Sequence, residues 1–441
     1  MPISNYSLWR AKAQDTIISA PLKGDVHADV VIIGGGYSGL SAALHIAEQG
    51  MAVRVLEAFT IGHGGSGRNV GLVNAGLWTP PKEVEKTLGH QAGCKLNTAL
   101  ATAPDLVFSL IQQHQIDCSA LRSGTLHCAT NRSGLRQLKQ RLAQQLQRNA
   151  PVSLLGAAIT EQRTGSGQFL GALFDPRAGT LQPLSYALGL ASAAIKAGAV
   201  IHTHAPALSC QQVSKSSNNA SNSVNNVNNK KGSPQWLVTT ANGSITANKL
   251  IHATNAYNTL LNTNAHFTTV DYAQFATQPL TEQQRHTILP NGEGCWDTNQ
   301  VMSSFRMDDS GRLIIGGVGS VDGKAKQVHL NWAHRKLKAL FPHITEYEFE
   351  YLWSGHIAMT SDHLPKITRL GDQGIRLYGY SGRGIGPATV FGKEAATWAI
   401  TGSEEGLPVA LTDPKADNYT STKAAYFDMG ATFNHWLSGR F

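Results

Sequence analysis

The chain has 441 residues, of which 41% are hydrophobic and 15% charged, with a formal charge of +8. That length can bury a large core in two structural domains or one composite domain, and no apolar run approaches the ~20 residues needed to span a bilayer. The positive balance comes without a dense Lys/Arg run, so it reads as diffuse surface charge rather than a nucleic-acid-binding face.

In chain order, residues 29–33 are a buried-strand run rich in β-branched side chains, residues 40–49 carry apolar positions at helical spacing until Gly50, and 52–56 read as a second strand. This βαβ opening is followed by helical patterns over 98–114 and 136–148, with a short strand over 124–129 between them. A helix over 185–197 leads into a strand at 199–203. Residues 211–233 are Asn, Ser and Lys with almost no bulky apolar side chains, which predicts a mobile loop. Its flanks, 207–210, 235–240 and 244–251, read as a small β-meander. Further strands are predicted at 313–316 and 375–379, and a helix from Pro387 to about Ile400. Alternating strands and helices make the class α/β.

The strongest motif is Gly34-Gly35-Gly36-Tyr37-Ser38-Gly39, a Gly-x-Gly-x-x-Gly between a strand and a helix. Gly34 permits the tight turn, Gly36 lets a pyrophosphate approach the backbone, and Gly39 lets helix and strand pack closely. The helix N-terminus at Tyr37 and Ser38 then faces the phosphates. Glu57, followed by Ala58, ends the second strand and is placed to accept hydrogen bonds from ribose hydroxyls. The glycine-rich run that includes Ser66, Gly67, Arg68, Asn69, Val70 and Gly71 supplies backbone donors beyond what an NAD fold needs, which favours FAD. Near the other end, Gly382, Arg383, Gly384, Ile385 and Gly386 form a close-approach loop before a helix whose positive end points at it. Such a loop would stabilise negative charge on a reduced flavin ring.

The five cysteines lack a Cys-x-x-Cys pair and read as reduced thiols. The seventeen histidines are scattered apart from His202 and His204, so no metal site is expected. Residues 1–20 lack the apolar core of a secretory signal, so the expected location is the cytoplasm, with peripheral membrane association left open.

These segments, together with 175–183 and Trp353-Ser354-Gly355, resemble the D-amino-acid-oxidase superfamily of FAD-dependent oxidoreductases, particularly the gamma-glutamylputrescine oxidase and L-pipecolate oxidase-like branch. The resemblance implies a Rossmann-like FAD-binding domain of the glutathione-reductase type beside a substrate domain built on a mixed β-sheet. It assigns 1–95, 181–262 and 351–441 to the FAD-binding domain and 96–180 and 263–350 to the substrate domain. Carried over by position, Ser66 to Gly71 and Gly355 line the cofactor, Ala207 meets the adenine region, and Ala253 approaches the pyrophosphate. Non-covalent FAD is implied, because the segment where relatives attach flavin through cysteine reads Gly316-Gly317-Val318-Gly319-Ser320 here.

The implied reaction moves a hydride from the carbon beside an amine nitrogen to flavin N5 and leaves an imine. The expected substrates are secondary or cyclic amino acids or gamma-glutamylated amines. Arg306 and Arg383 are the candidate cations for a substrate carboxylate. No lysine occurs from Leu250 to Gly323, where sarcosine-oxidase relatives carry one that promotes reaction with oxygen. The electron acceptor is therefore either oxygen or a quinone or electron-transfer partner. The competing readings are an NAD(P)H-using flavin hydroxylase and a non-catalytic flavin-binding subunit of a larger complex.

Overall fold

The computed structural model describes residues 6–13, 17, 19, 21–213, 235–257, 261 and 266–437. Two large sheets organise these residues. The centre of the first is five parallel strands in the spatial order Val200–His202, Val53–Leu56, Val26–Ile33, Gly243–His252 and Gly374–Tyr378. Val30, Val31 and Ile32 are fully buried, as expected of a parallel strand covered on both faces. The meander is present: Ser209–Val213 and Gln235–Thr240 pair antiparallel with each other, and the second pairs with Gly243–His252. Apart from 211–213, which belong to the first of these strands, the segment expected as a loop lies outside the described residues.

The helix Tyr37–Ala47 is covered on one side by Pro183–Lys196 and on another by Ile385–Thr401. The second contact is close, because a Cβ on Gly392 would lie 2.4 Å from the Ser38 carbonyl oxygen. Ser41 adds a hydroxyl donated to the Thr389 carbonyl at 2.8 Å. Ile385–Thr401 is thus locked onto Tyr37–Ala47.

The second sheet has eight strands in the order Phe349–Met359, Thr268–Pro279, Arg312–Val318, Ser303–Met307, Gly294–Asp297, Thr125–Ala129, Gly171–Asp175 and Ser153–Gly156. Only Gly294–Asp297 and Thr125–Ala129 pair parallel, so the sheet is mixed. Along Thr268–Pro279 the two-residue period sends Ala273 and Phe275 into a core with Trp332, Leu337 and Phe341. Val270, Tyr272 and Gln274 face the other way, into a cavity.

Two expected elements differ. The helical pattern over 98–114 is two helices, His90–Ala101 and Ala103–Gln113, because Pro104 cannot donate to the preceding turn and restarts the helix at its second position. The helix expected from Pro387 starts at Ile385, so Pro387 occupies the third position, still within the turn whose N–H groups lack intrahelical partners.

A C-terminal helix, Thr420–Leu437, packs on Thr268–Pro279 and on the helix Lys326–Leu340. Its His435 and the His329 of that neighbour are both buried, with their Nδ1 atoms 2.8 Å apart, and the His435 ring stacks on Trp332 at 4.0 Å. One Nδ1 must donate and the other accept, so the pair has no room for a second charge. Burial, with His329, Arg335 and Lys336 nearby, pushes the His435 pKa down to about 3. The unfolded chain therefore takes up a proton that the folded one refuses, and stability falls as pH drops from about 6.5 toward 3. The melting temperature is expected to decline over this window and His435→Leu to flatten the decline; parallel pH curves for the two proteins would assign the effect to other groups.

Candidate functional site

The site grows from the end of Val26–Ile33. Gly34 has φ +113°, and a Cβ there would sit 2.8 Å from the Ala253 carbonyl oxygen. A Cβ on Gly39 would lie 2.0 Å from the Gly34 carbonyl oxygen, and one on Gly36 would lie 2.9 Å from Ser66 Oγ. Only bare backbone fits this turn. Ser66 Oγ accepts the Tyr37 N–H at 3.1 Å, and the Tyr37 hydroxyl donates to the Ser66 carbonyl at 2.7 Å. Glu57 pins the turn from the next strand: its Oε2 accepts from the Gly35 N–H at 2.7 Å and its Oε1 from the Phe59 N–H at 2.9 Å. Burial raises the Glu57 pKa, and the backbone N–H groups of Phe59, Gly35 and Ala58 oppose that rise.

The following loop is tied to the second sheet. Arg68 donates to the carbonyls of His63 and Ser354 at 2.9 and 3.2 Å, and Trp353 Nε1 donates to the Arg68 carbonyl at 2.9 Å. Asn69 bonds the Gly65 carbonyl at 2.9 Å and receives the Gly71 N–H at 2.9 Å.

A cavity of about 890 Å³ runs between the two sheets. Gly34, Gly36, Tyr37, Ser38, Glu57, Ala58, Ser66, Arg68, Asn69, Val70, Ala207, Ala253, Gly355 and the whole loop Gly382, Arg383, Gly384, Ile385, Gly386 line it. The start of the helix Ile385–Thr401 therefore opens into it. Three predicted residues lie behind this wall. Gly39 and Gly67 leave room for the Gly34 and Gly62 carbonyls, and Gly71 does so for that of Leu181.

Arg306 is a correction. It does not line the cavity; its buried guanidinium donates to the carbonyls of Leu181 at 2.6 Å, Gly71 at 3.1 Å and Met307 at 3.2 Å, and it lies over the Trp9 ring. Burial pushes its pKa down to about 10. With Nε and Nη1 on backbone carbonyls and the side chain outside the cavity lining, it is not placed to clamp a substrate carboxylate. It braces the cavity wall at 70–71.

Arg383 does face the cavity. Its guanidinium carbon is 4.7 Å from the Trp296 ring centroid and 5.9 Å from that of Trp78, with one long bond to the Ala75 carbonyl at 3.4 Å. Among the described residues no carboxylate lies within ion-pairing distance of it. Burial, reinforced by Arg141, pushes its pKa down to about 9.

Sequence reasoning missed the far wall. Trp78, Trp296, Tyr272, Gln274 and Tyr257 line the cavity, as do Tyr426 and Phe433 of the C-terminal helix. Tyr272, Gln274 and Trp296 are isolated strand residues that only sheet register could have brought together, while Trp78 and Tyr257 lie in loops and Tyr426 and Phe433 on a helix, none within a local motif. Glu85, His90 and Cys94 also come together at the surface, but Arg148 already holds Glu85.

The cavity suits FAD: three glycines leave bare backbone at one end, Glu57 stands beside them, and two loops from opposite ends of the chain border the remainder. A parallel nucleotide-binding sheet, a mixed sheet facing it and this cavity define a flavoprotein oxidoreductase. The profile of the DAO family, described as FAD dependent oxidoreductase, matches residues 29–398, and the chain belongs to that family. FAD is accordingly its cofactor. Family members are oxidoreductases acting on the C–N bonds of amines and amino acids.

Among similar proteins, a probable oxidoreductase OrdL of Haemophilus influenzae is 29% identical, over 88% of this chain and 86% of that one. Gamma-glutamylputrescine oxidoreductase of Escherichia coli is 28% identical, over 86% and 85%. The fold matches glycine oxidase from Geobacillus kaustophilus (TM-score 0.65, 19% identity, covering 85% of this chain and 95% of that one). It also matches L-amino acid deaminase from Proteus myxofaciens (TM-score 0.68, 15% identity, covering 88% and 92%).

Removing the Arg306 guanidinium takes the charged donor from the Leu181 carbonyl and leaves the Gly71 carbonyl with only the Leu181 N–H, at a cost of roughly 1–3 kcal/mol. Arg306→Met is expected to lower the melting temperature while leaving the KM of the folded enzyme near wild type. A selective rise in KM at unchanged stability would restore the clamp role.

Proposed function

We propose that the chain oxidises an amine that also carries a carboxylate, taking a hydride from the carbon beside the nitrogen and leaving an imine. The candidate compounds are secondary or cyclic amino acids and gamma-glutamylated amines. Arg383 carries the reading, as a half-buried cation that faces the cavity; among the described residues no carboxylate lies within ion-pairing distance, and Asp175 acts on it only through its longer-range field. Placing a carboxylate against it relieves the desolvation cost of that charge, and the planar guanidinium suits two parallel hydrogen bonds. The tryptophan faces on either side hold the guanidinium in place by cation–π attraction.

When bound, FAD supplies the hydride acceptor. The protein's contribution is to position the C–H bond, exclude water and choose the protonation state of the amine. Glu57 is the only carboxylate that lines the cavity among the described residues, and it stands at the fingerprint turn. An ammonium in this cavity would thus share it with Arg383 and find no counter-charge on the protein away from Glu57, which selects the neutral amine whose lone pair can expel hydride. The electrons then pass to oxygen or to a quinone or electron-transfer partner. No helix among the described residues is long and apolar enough to cross a membrane.

Anaerobic mixing of the holoenzyme with carboxylate-bearing amines is expected to bleach the flavin without nicotinamide; bleaching only with NAD(P)H would favour the hydroxylase reading. Arg383→Met should raise KM by about two orders of magnitude, and an unchanged KM would remove the anchor. Because the neutral amine is selected, kcat/KM should rise with pH up to the pKa of each substrate's own amine. An ascending limb fixed at one pH for amines of different basicity would instead point to a group on the protein.

A further inference from the structure

The second sheet carries one continuous row of residues across the cavity. Gln274 pairs with Gly316, Gly316 with Ser304, Ser304 with Trp296, and Trp296 with His127. Residues paired in register point to the same face, and Gln274, Ser304 and Trp296 all line the cavity.

Gly316, in the middle of the row, keeps it open. A Cβ there would lie 2.6 Å from Gln274 Oε1 and 2.6 Å from the Tyr272 ring, so both side chains lean across the glycine. The Tyr272 hydroxyl completes its reach with a 2.8 Å bond to Ser304 Oγ. The Gln274 carboxamide does not: the residue is 1% exposed, and neither its oxygen nor its nitrogen has a hydrogen-bond partner. Among the described residues, the other cavity-lining side chain with an unpartnered buried polar atom is Trp296, through Nε1, a donor next to Arg383. The cavity therefore offers donors at its Arg383–Trp296 end and a neutral amide, acceptor and donor together, at Gln274.

We propose that Gln274 is the specificity-determining residue that receives the reacting amine, its Oε1 accepting the amine N–H while the carboxylate of the same substrate sits at Arg383 and Trp296. This rests on the carboxylate-anchor reading and adds a dimension to it. Three strand spacings separate the main chains of Gln274 and Trp296, about 14 Å along the sheet, of which the amide recovers about one spacing by leaning over Gly316. The single carbon between carboxylate and amine in an α-amino acid is too short for that gap, so of the compounds proposed above this geometry favours the gamma-glutamylated amines over the secondary and cyclic α-amino acids. The substrate class is an amino carboxylate with several bonds between its two groups. A carboxamide at Gln274 suits this task because it accepts from an N–H without offering the charge that would hold the amine protonated.

The test compares matched ligands on holoenzyme at pH 9, reading dissociation constants from the perturbed visible absorbance of the bound flavin. The long pair is nonanoate and 8-aminooctanoate, which differ by methyl against amine at the same reach; the short pair is propanoate and glycine. In Gln274→Leu the affinity ratio of 8-aminooctanoate to nonanoate is expected to fall about tenfold from its wild-type value, the worth of one hydrogen bond to a buried amide. The ratio for the short pair should stay unchanged. A long-pair ratio equal in the two proteins overturns the proposal, because a merely structural glutamine would weaken both ligands alike. If Gln274→Leu does not retain flavin, Gln274→Asn decides: its amide is one methylene shorter, so the preferred ligand should lengthen from 8-aminooctanoate to 9-aminononanoate, and an unchanged optimum overturns the proposal. If neither carboxylate binds wild type, the Arg383 anchor fails and this inference with it. Carboxylate binding with an amine contribution indifferent to Gln274 defeats this inference alone.

Discussion

The Gly34 carbonyl is approached by backbone on one side and the Gly34 α-carbon on another: Gly39 leaves no space for a methyl group against that oxygen, and Ala253 leaves little beside the α-carbon. This close packing of strand, helix and neighbouring strand fixes where the first helix begins, and with it the position of Ser66, Glu57 and the helix Ile385–Thr401 that packs on Ser38. A turn assembled from bare main chain has little freedom to relax, since interiors are packed as densely as crystals. The cavity inherits that rigidity at one end. Its other end is set by the register of the second sheet.

The fingerprint glycines, Glu57 and the loop at Gly382 to Gly386 were legible because each is a local pattern whose meaning is contained in a few consecutive residues, and all but Gly39 among them border one cavity. The parallel strands were legible for the same reason, as short β-branched runs. Arg306 and Arg383 show where that legibility ends. Both are arginines in apolar surroundings, and the difference between brace and candidate anchor depends on whether carbonyls 125 and 235 residues away fill the guanidinium's donors. Tyr272, Gln274 and Trp296 share a cavity wall only through strand pairing, which spacing along one strand does not disclose.

The electrostatics of the two ends are complementary. At the fingerprint end a single carboxylate is held by backbone N–H groups in a setting that otherwise presents the positive end of a helix. At the other end the charge is positive and the remaining polar atoms are neutral. On the proposed reading, such a division lets one cavity accommodate the ribose and phosphates of a dinucleotide at one end while favouring an anionic head and an uncharged amine at the other.

The helix that closes onto Tyr37–Ala47 begins at residue 385, and the helix that forms part of the cavity mouth ends near residue 437. During synthesis the N-terminal βαβ unit leaves the ribosome hundreds of residues before either partner exists. Its glycine turn then waits as an open half-site, and the walls that line the cavity are complete only when residues up to Asn434 have emerged. Flavin loading in this architecture is therefore a late event, which makes the nascent protein dependent on whatever protects its first sheet in the interval.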